Sequence, residues 1–318
     1  MAKRRPLPLI IAHRGASGYL PEHTLAAKAL AYGLGADYLE QDVVVSRDGH
    51  LIVLHDIHLD RVSDVADVFP DRCRDNGRYY VRDFDLAELR TLRIWERYTA
   101  DGPDKPAFPQ RFPARSGLFR INTLDEELQL IQGLNKSTGR SVGIYPEIKS
   151  PEWHRAEGVD SARLLLDLLL HYGYRTAADP VFVQCFHAPE LRRIRDELDC
   201  RLRLIQLIGQ NDWQESSTDY EALITDEGLH ALAETVDGIG PWIGQLYALE
   251  PIEGEPVSTG LVSRAQAAGL AVHPYTFRAD ALAPGFETFA EMVDWFSRTL
   301  GVNGLFTDFP DLAREALT

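Results

Sequence analysis

Short apolar runs rich in β-branched residues alternate along this chain with longer segments whose apolar positions recur every three to four residues. The short runs fall at 9–12, 37–45, 51–54, 142–148, 181–185, 202–207, 237–240, 270–274 and 303–307. Short strands interleaved with helical patterns predict a parallel sheet with crossover helices. One predicted helix starts near His23 and Thr24 and carries Leu25, Ala29, Leu30 and Ala31. Another opens at Thr123 with Glu126 three residues on, the spacing of a capping box. Further helices are expected near 159–172, 188–199, 226–235, 258–268 and 287–300.

Nine strand runs are one too many for an eight-stranded barrel. The runs ending at Val45 and starting at Leu51 are joined only by Ser46-Arg47-Asp48-Gly49-His50. Asp-Gly in a short polar loop signals a hairpin, and parallel neighbours need a crossover of roughly a dozen residues. The second arm therefore folds back, leaving eight staves. The expected fold is a (β/α)₈ barrel with a hairpin after the second stave, one domain over 8–318. Such a barrel uses about 250 residues of the 318 present. Residues 57–120 break the alternation. They hold Pro70, Pro103, Pro106, Pro109 and Pro113 and one short helix near 86–94, so they are expected to form an insertion capping the barrel mouth.

Composition narrows the function. The chain has 33 basic and 48 acidic residues, a formal charge of −15. Such a surface repels polyanions, which argues against nucleic-acid partners. Only five basic residues are lysines (3, 28, 105, 136 and 149). Cys73, Cys185 and Cys200 show no CxxC spacing, so neither a disulfide framework nor a zinc site is expected. No apolar run is long enough to span a membrane. Lys3-Arg4-Arg5 precedes an apolar stretch, but Pro6 and Pro8 break it and it runs into His13-Arg14-Gly15. The expectation is a cytoplasmic chain as given, or a periplasmic one if an export signal was removed.

Four clusters sit at the ends of predicted staves, where barrel active sites lie. His13-Arg14-Gly15 offers an imidazole for proton transfer and a guanidinium for phosphoryl oxygens. Glu40 and Asp42 are two apart on one strand and so share a side. Buried together, they need a cation or protons. His55-Asp56 ends the hairpin, and the fold-back brings His55 towards Gln41, between those carboxylates. Glu147 and Lys149 repeat the i, i+2 spacing. Glu40, Asp42 and Glu147 would make an oxygen-only site suited to Ca²⁺ or Mg²⁺ and not to zinc. Gln184 and Phe186, and more weakly Trp242, His273 and Tyr275, are candidates for contacting substrate. Asp308 is expected to cap the final turn, and His23, His58, His154, His171, His187 and His230 carry no assigned role.

The runs IIAHRGASGYLPEHT, YLEQDV, LIVLHD, YPEIK and GLFTDFP resemble, in order and spacing, the glycerophosphodiester phosphodiesterase family. The likeness runs from about Ile10 to the end. It looks nearest to the bacterial periplasmic type, which shares DVADVFPDR, GRYY and VNGLFTDFP. Those relatives carry an export signal, and none is visible here. The resemblance implies His13 and His55 as paired catalytic histidines. It implies Glu40, Asp42 and Glu147 as ligands of a divalent cation, Ca²⁺ foremost and Mg²⁺ as the alternative. Arg14 and Lys149 are implied as phosphate contacts. The implied reaction converts a small-molecule glycerophosphodiester into sn-glycerol 3-phosphate and an alcohol. It favours the glycerol 2-hydroxyl as first nucleophile, with direct attack by water left open. A barrel acting on lysophospholipids and a barrel kept only for binding are the competing readings. The leaving alcohol and the oligomeric state are not legible in the sequence.

Overall fold

The computed structural model describes residues 6–99, 102, 105–250 and 254–318. Lys3, Arg4, Arg5 and Pro103, which entered the expectations above, lie outside them.

Nine strands belong to the main sheet: β1 Leu9–Ala12, β2 Tyr38–Val45, β3 Leu51–Val53, β4 Gly143–Ile148, β5 Phe182–Cys185, β6 Arg203–Ile208, β7 Gly238–Pro241, β8 Ala271–Val272 and β9 Gly304–Thr307. All but β3 run parallel, in the order β8-β7-β6-β5-β4-β2-β1-β9. The ring closes between its end members. Asn303 N donates to Val272 O at 2.9 Å, Phe306 N to Pro274 O at 3.0 Å and Phe277 N to Phe306 O at 2.8 Å. A helix follows each stave: α1 Leu25–Gly33, α2 Leu124–Thr138, α3 Ser161–His171, α4 Ala188–Asp196, α5 Asp226–Ala233, α6 Leu261–Ala267, α7 Phe289–Asp294 and α8 Pro310–Leu317. This is the (β/α)₈ barrel that the alternation predicts.

The helix starts follow from local chemistry. Thr24 Oγ1 accepts from Ala27 N, and Thr123 with Glu126 closes the expected capping box. Gly139, at φ +74°, ends α2 in the left-handed conformation that glycine adopts without a Cβ penalty.

Strand parity sorts the side chains. All eight residues of β2 are buried, as a stave covered on both faces must be. Leu39 and Val43 face the helices, while Tyr38, Glu40 and Asp42 face the barrel axis. The floor of the interior is apolar: Ile11, Tyr38, Tyr145, Phe182, Ile205 and Phe306 pack together. Tyr145 lies 4.9 Å from both the Phe182 and Phe306 rings. Two residues further along the staves the inward positions become His13, Glu40, Glu147, Gln184, Leu207 and Asp308. The floor is thus a dry plug, and chemistry begins one layer above it.

β3 pairs antiparallel with β2, Val43 opposite Val53 and Val45 opposite Leu51. The stretch 57–120 packs on this hairpin through a second apolar cluster that includes Val44, Ile52, Leu59, Val65, Phe84 and Ile94. The helix expected at 86–94 is shorter. It spans Leu86–Leu89, and Arg93–Ile94 instead pairs with Phe119–Arg120 as a two-residue ladder. Ile94 is buried in that cluster, so tertiary packing overrides the helical pattern. A hairpin at Tyr247–Leu249 and Pro256–Ser258 was not expected.

Candidate active site

The chain turns sharply after β1. Gly15 has φ +91°, and a Cβ there would come within 2.9 Å of the Ala27 backbone. Arg14 itself takes φ +58°, which aims its N–H at Glu40 Oε2, 2.8 Å away. Its guanidinium donates to Glu22 Oε2 at 3.0 Å and lies 3.7 Å from Asp42.

Glu40, Asp42 and Glu147 converge as the strand parity predicts. Each offers an oxygen within 4.8 Å of the others, and all three are buried. Register explains the meeting, since Asp42 stands opposite Glu147 on β4, and Glu147 opposite Gln184 on β5. Gln184 Nε2 donates to Glu40 Oε1 at 2.9 Å. Burial and the Asp42 charge push the Glu40 carboxyl up to about 8. Burial drives Glu147 well above its usual range. Asp42 goes the other way despite its burial, held low by His23, whose Nε2–H donates to it at 2.7 Å. Asp42 Oδ1 and Gln184 Oε1 are buried without a partner. Three repelling carboxylates and two orphaned oxygens fit a hard divalent cation, which would neutralise the first and satisfy the second.

Each flanking histidine is held by an aspartate. His13 Nδ1–H donates to Asp308 Oδ1 at 2.6 Å, leaving Nε2 3.9 Å from Glu40. His55 Nδ1–H donates to Asp56 Oδ1 at 2.6 Å, and Lys149 Nζ approaches its Nε2 at 3.5 Å. Burial, then Arg14, lowers His13 to about 4, and the same causes lower His55 to about 3. Lys149 Nζ also bonds Glu147 Oε1 at 2.7 Å, which keeps it protonated against its burial. His13, His55, Arg14 and the three carboxylates line one cleft of about 610 Å³. Two imidazoles turned into the cleft, with a cation on the carboxylates beneath, could hold a phosphate and move protons at two of its oxygens.

Gln184, Phe186, Trp242 and Tyr275 also line the cleft. His273 does not reach it. It is buried in the floor, where its Nδ1 meets Tyr145 Oη at 2.8 Å. Two expectations need correction. Asp308 does not cap the last helix; Phe309 N bonds Thr307 Oγ1, and the Asp308 side chain instead receives His13, Arg111 and Arg278. His23 has a setting after all, between Asp42 and Lys28 Nζ, which also donates to the Glu40 carbonyl and pairs with Glu127 at 3.0 Å. Sequence reasoning also missed Arg97, which reaches in from 57–120. It grips Glu22 through two bonds of 2.7 and 3.0 Å and Asp56 through one of 2.7 Å. Asp308 was within reach of the strand-end rule. Nothing local in the sequence marks Arg97.

Comparison with known proteins follows the geometry. A family model described as the glycerophosphoryl diester phosphodiesterase family matches residues 13–312. A glycerophosphodiester phosphodiesterase of Haemophilus influenzae is 43% identical over 97% of this chain and 89% of its own length. One from Treponema pallidum is 41% identical over 97% of this chain and 91% of its own. Among solved structures, a putative glycerophosphoryl diester phosphodiesterase from Silicibacter pomeroyi superposes with a TM-score of 0.73. It is 23% identical and covers 98% of this chain and 93% of that one. An Oleispira antarctica phosphodiesterase, solved in complex with the product sn-glycerol-3-phosphate, gives 0.64 at 21% identity, over 98% and 96%. These structural likenesses carry the fold.

Proposed function

Since the chain belongs to the glycerophosphoryl diester phosphodiesterase family and is a hydrolase of glycerophosphodiesters, we propose that it releases sn-glycerol 3-phosphate with a divalent cation and two histidines. The observation that carries this reading is the convergence of Glu40, Asp42 and Glu147 beneath a cleft flanked by His13 and His55. The three carboxylates would hold the cation, Ca²⁺ foremost and Mg²⁺ as the alternative. When bound, it supplies charge withdrawal at a phosphate or glycerol oxygen.

Arg14 and Lys149 bind the remaining phosphoryl oxygens and stabilise the charge that grows on them. His13 Nε2 takes the proton of the glycerol 2-hydroxyl, whose oxygen bonds to phosphorus. The opposite P–O bond breaks, and the departing oxygen takes a proton from His55. Water then attacks phosphorus and gives its proton to His55, while the P–O bond to the 2-oxygen breaks and that oxygen takes its proton back from His13. His55 must be protonated for the first step, and an anionic phosphodiester beside it restores the proton affinity that burial removes. Asp308 and Asp56 keep both Nε2 atoms turned inwards.

The test is glycerol 3-phosphate release from a diester whose leaving alcohol is uncharged, such as glycerophosphoglycerol. Chelation is expected to abolish release, with Ca²⁺ or Mg²⁺ restoring it. Replacing either histidine by alanine is expected to cut turnover by ~10²–10⁴ while metal binding persists. Undiminished release in excess chelator, or full activity in both variants, would refute the scheme.

One wall of the cleft favours a second reading. Trp213, Trp242, Ile243 and Leu249 form an apolar flank, and Trp213 and Leu249 are exposed at the rim. Hydrolysis of lysophospholipids would use that flank for an acyl chain. Comparing glycerophosphocholine with lysophosphatidylcholine separates the two.

A further inference from the structure

A second cavity, of about 210 Å³, adjoins the main cleft at His13 and His55. It shares His13, Arg14, His55 and Arg278 with the main cleft but none of the three carboxylates. A phosphorus held between His13 and His55 therefore borders both cavities. On the reading above, the glycerol arm lies over the carboxylates in the main cleft. The other ester arm then enters the smaller cavity.

The charges there are unevenly matched. Arg14 is committed to Glu22, Arg97 to Glu22 and Asp56, Arg111 to Asp280 and Asp308, and Arg278 to Asp308. Glu96 also lines the cavity and is 3% exposed. Its Oε2 has no hydrogen-bond partner, and no ion pair reaches it among the described residues. A buried carboxyl left without a partner in a ligand-sized space is costly unless a ligand completes it. The space would hold an alcohol of a few heavy atoms, and the missing group is a hydrogen-bonding cation.

We propose that this cavity is the leaving-alcohol subsite and that Glu96 selects alcohols bearing a primary ammonium, of which ethanolamine is the simplest. Glu96 is a specificity-determining residue in this scheme and takes no part in proton transfer. Burial, followed by the Glu22 charge, raises Glu96 to about 8, a state that an arriving ammonium would reverse. A quaternary ammonium brings charge but no N–H donor, and a polyol brings donors but no charge.

The experiment compares kcat/KM for glycerophosphoethanolamine, glycerophosphocholine and glycerophosphoglycerol in the parent and in Glu96→Gln. The expected result is a loss of roughly tenfold or more on the ethanolamine diester, a smaller loss on the choline diester and little change on the glycerol diester. An equal loss on all three, or none, overturns the proposal. Turnover of the glycerol diester reports hydrolysis itself, so failure of the catalytic reading shows separately. A measurement on the parent alone guards against a variant that misfolds. Free ethanolamine is expected to inhibit hydrolysis of glycerophosphoglycerol at roughly one-tenth the concentration needed for ethylene glycol. Equal inhibition by the two also overturns the assignment.

Discussion

Asp308 receives His13 Nδ1–H at 2.6 Å and two guanidinium groups, at 2.6 and 2.9 Å. Its carboxyl is held well below the usual range, against its burial, by Arg278 and His13. On the proposed mechanism its task is to fix the His13 tautomer. Asp308→Asn is expected to lower kcat by roughly 10²-fold or more with KM little changed, read from steady-state kinetics; a pure KM effect would contradict it. Glu96 makes a stability prediction. It titrates at about 8 in the fold against 4.5 normally. Between those values the folded chain holds a proton that unfolding releases, so stability falls as pH rises through the window. Parent and Glu96→Gln should melt together near pH 4 and diverge by pH 8, with the variant higher. A variant that melts lower at pH 8 refutes this. At this scale the sequence exposed residues that repeat at i, i+2 or sit beside a histidine. Glu40 with Asp42 and Glu147 with Lys149 were legible because strand geometry places them. Arg97 and Glu96 were not, since only tertiary packing carries them to the site.

The hairpin of β2 and β3 is the element that delivers His55. Leu54 N donates to Asp42 O at 2.9 Å, so the chain leaves β3 directly beside the carboxylates. Ile52 is fully buried between the hairpin and 57–120. Ile52→Ala is expected to cost ~2–5 kcal/mol, measured by urea unfolding, and a shift under 1 kcal/mol would show that the cluster does not brace the hairpin. The strand runs could be read from sequence because each stave is short, apolar and bounded by turns. Residues 57–120 could not. Their ladder pairs Arg93–Ile94 with Phe119–Arg120 across some two dozen residues, and no local period reports such a pairing.

Taken whole, the molecule carries −15, and at its mouth Arg14, Arg97, Arg111, Lys149 and Arg278 are each paired with an acid. On the proposed mechanism an anionic phosphate would therefore be drawn there chiefly by the cation held on the carboxylates. Within that place three buried carboxylates repel one another. A cation binding there should therefore stabilise the entire barrel. At a hundredfold excess over Kd the gain is about 2.7 kcal/mol, seen as a Tm higher by a few degrees with Ca²⁺ or Mg²⁺ than with chelator. An unchanged Tm would argue against the site.

The bond from His13 to Asp308 spans 295 positions of the chain. During synthesis His13 leaves the ribosome 295 residues ahead of the aspartate that holds it. On the proposed mechanism full turnover would then await the docking of the last stave against the first. Regain of catalysis during refolding would accordingly time the sealing of the ring, later than the collapse that buries its walls.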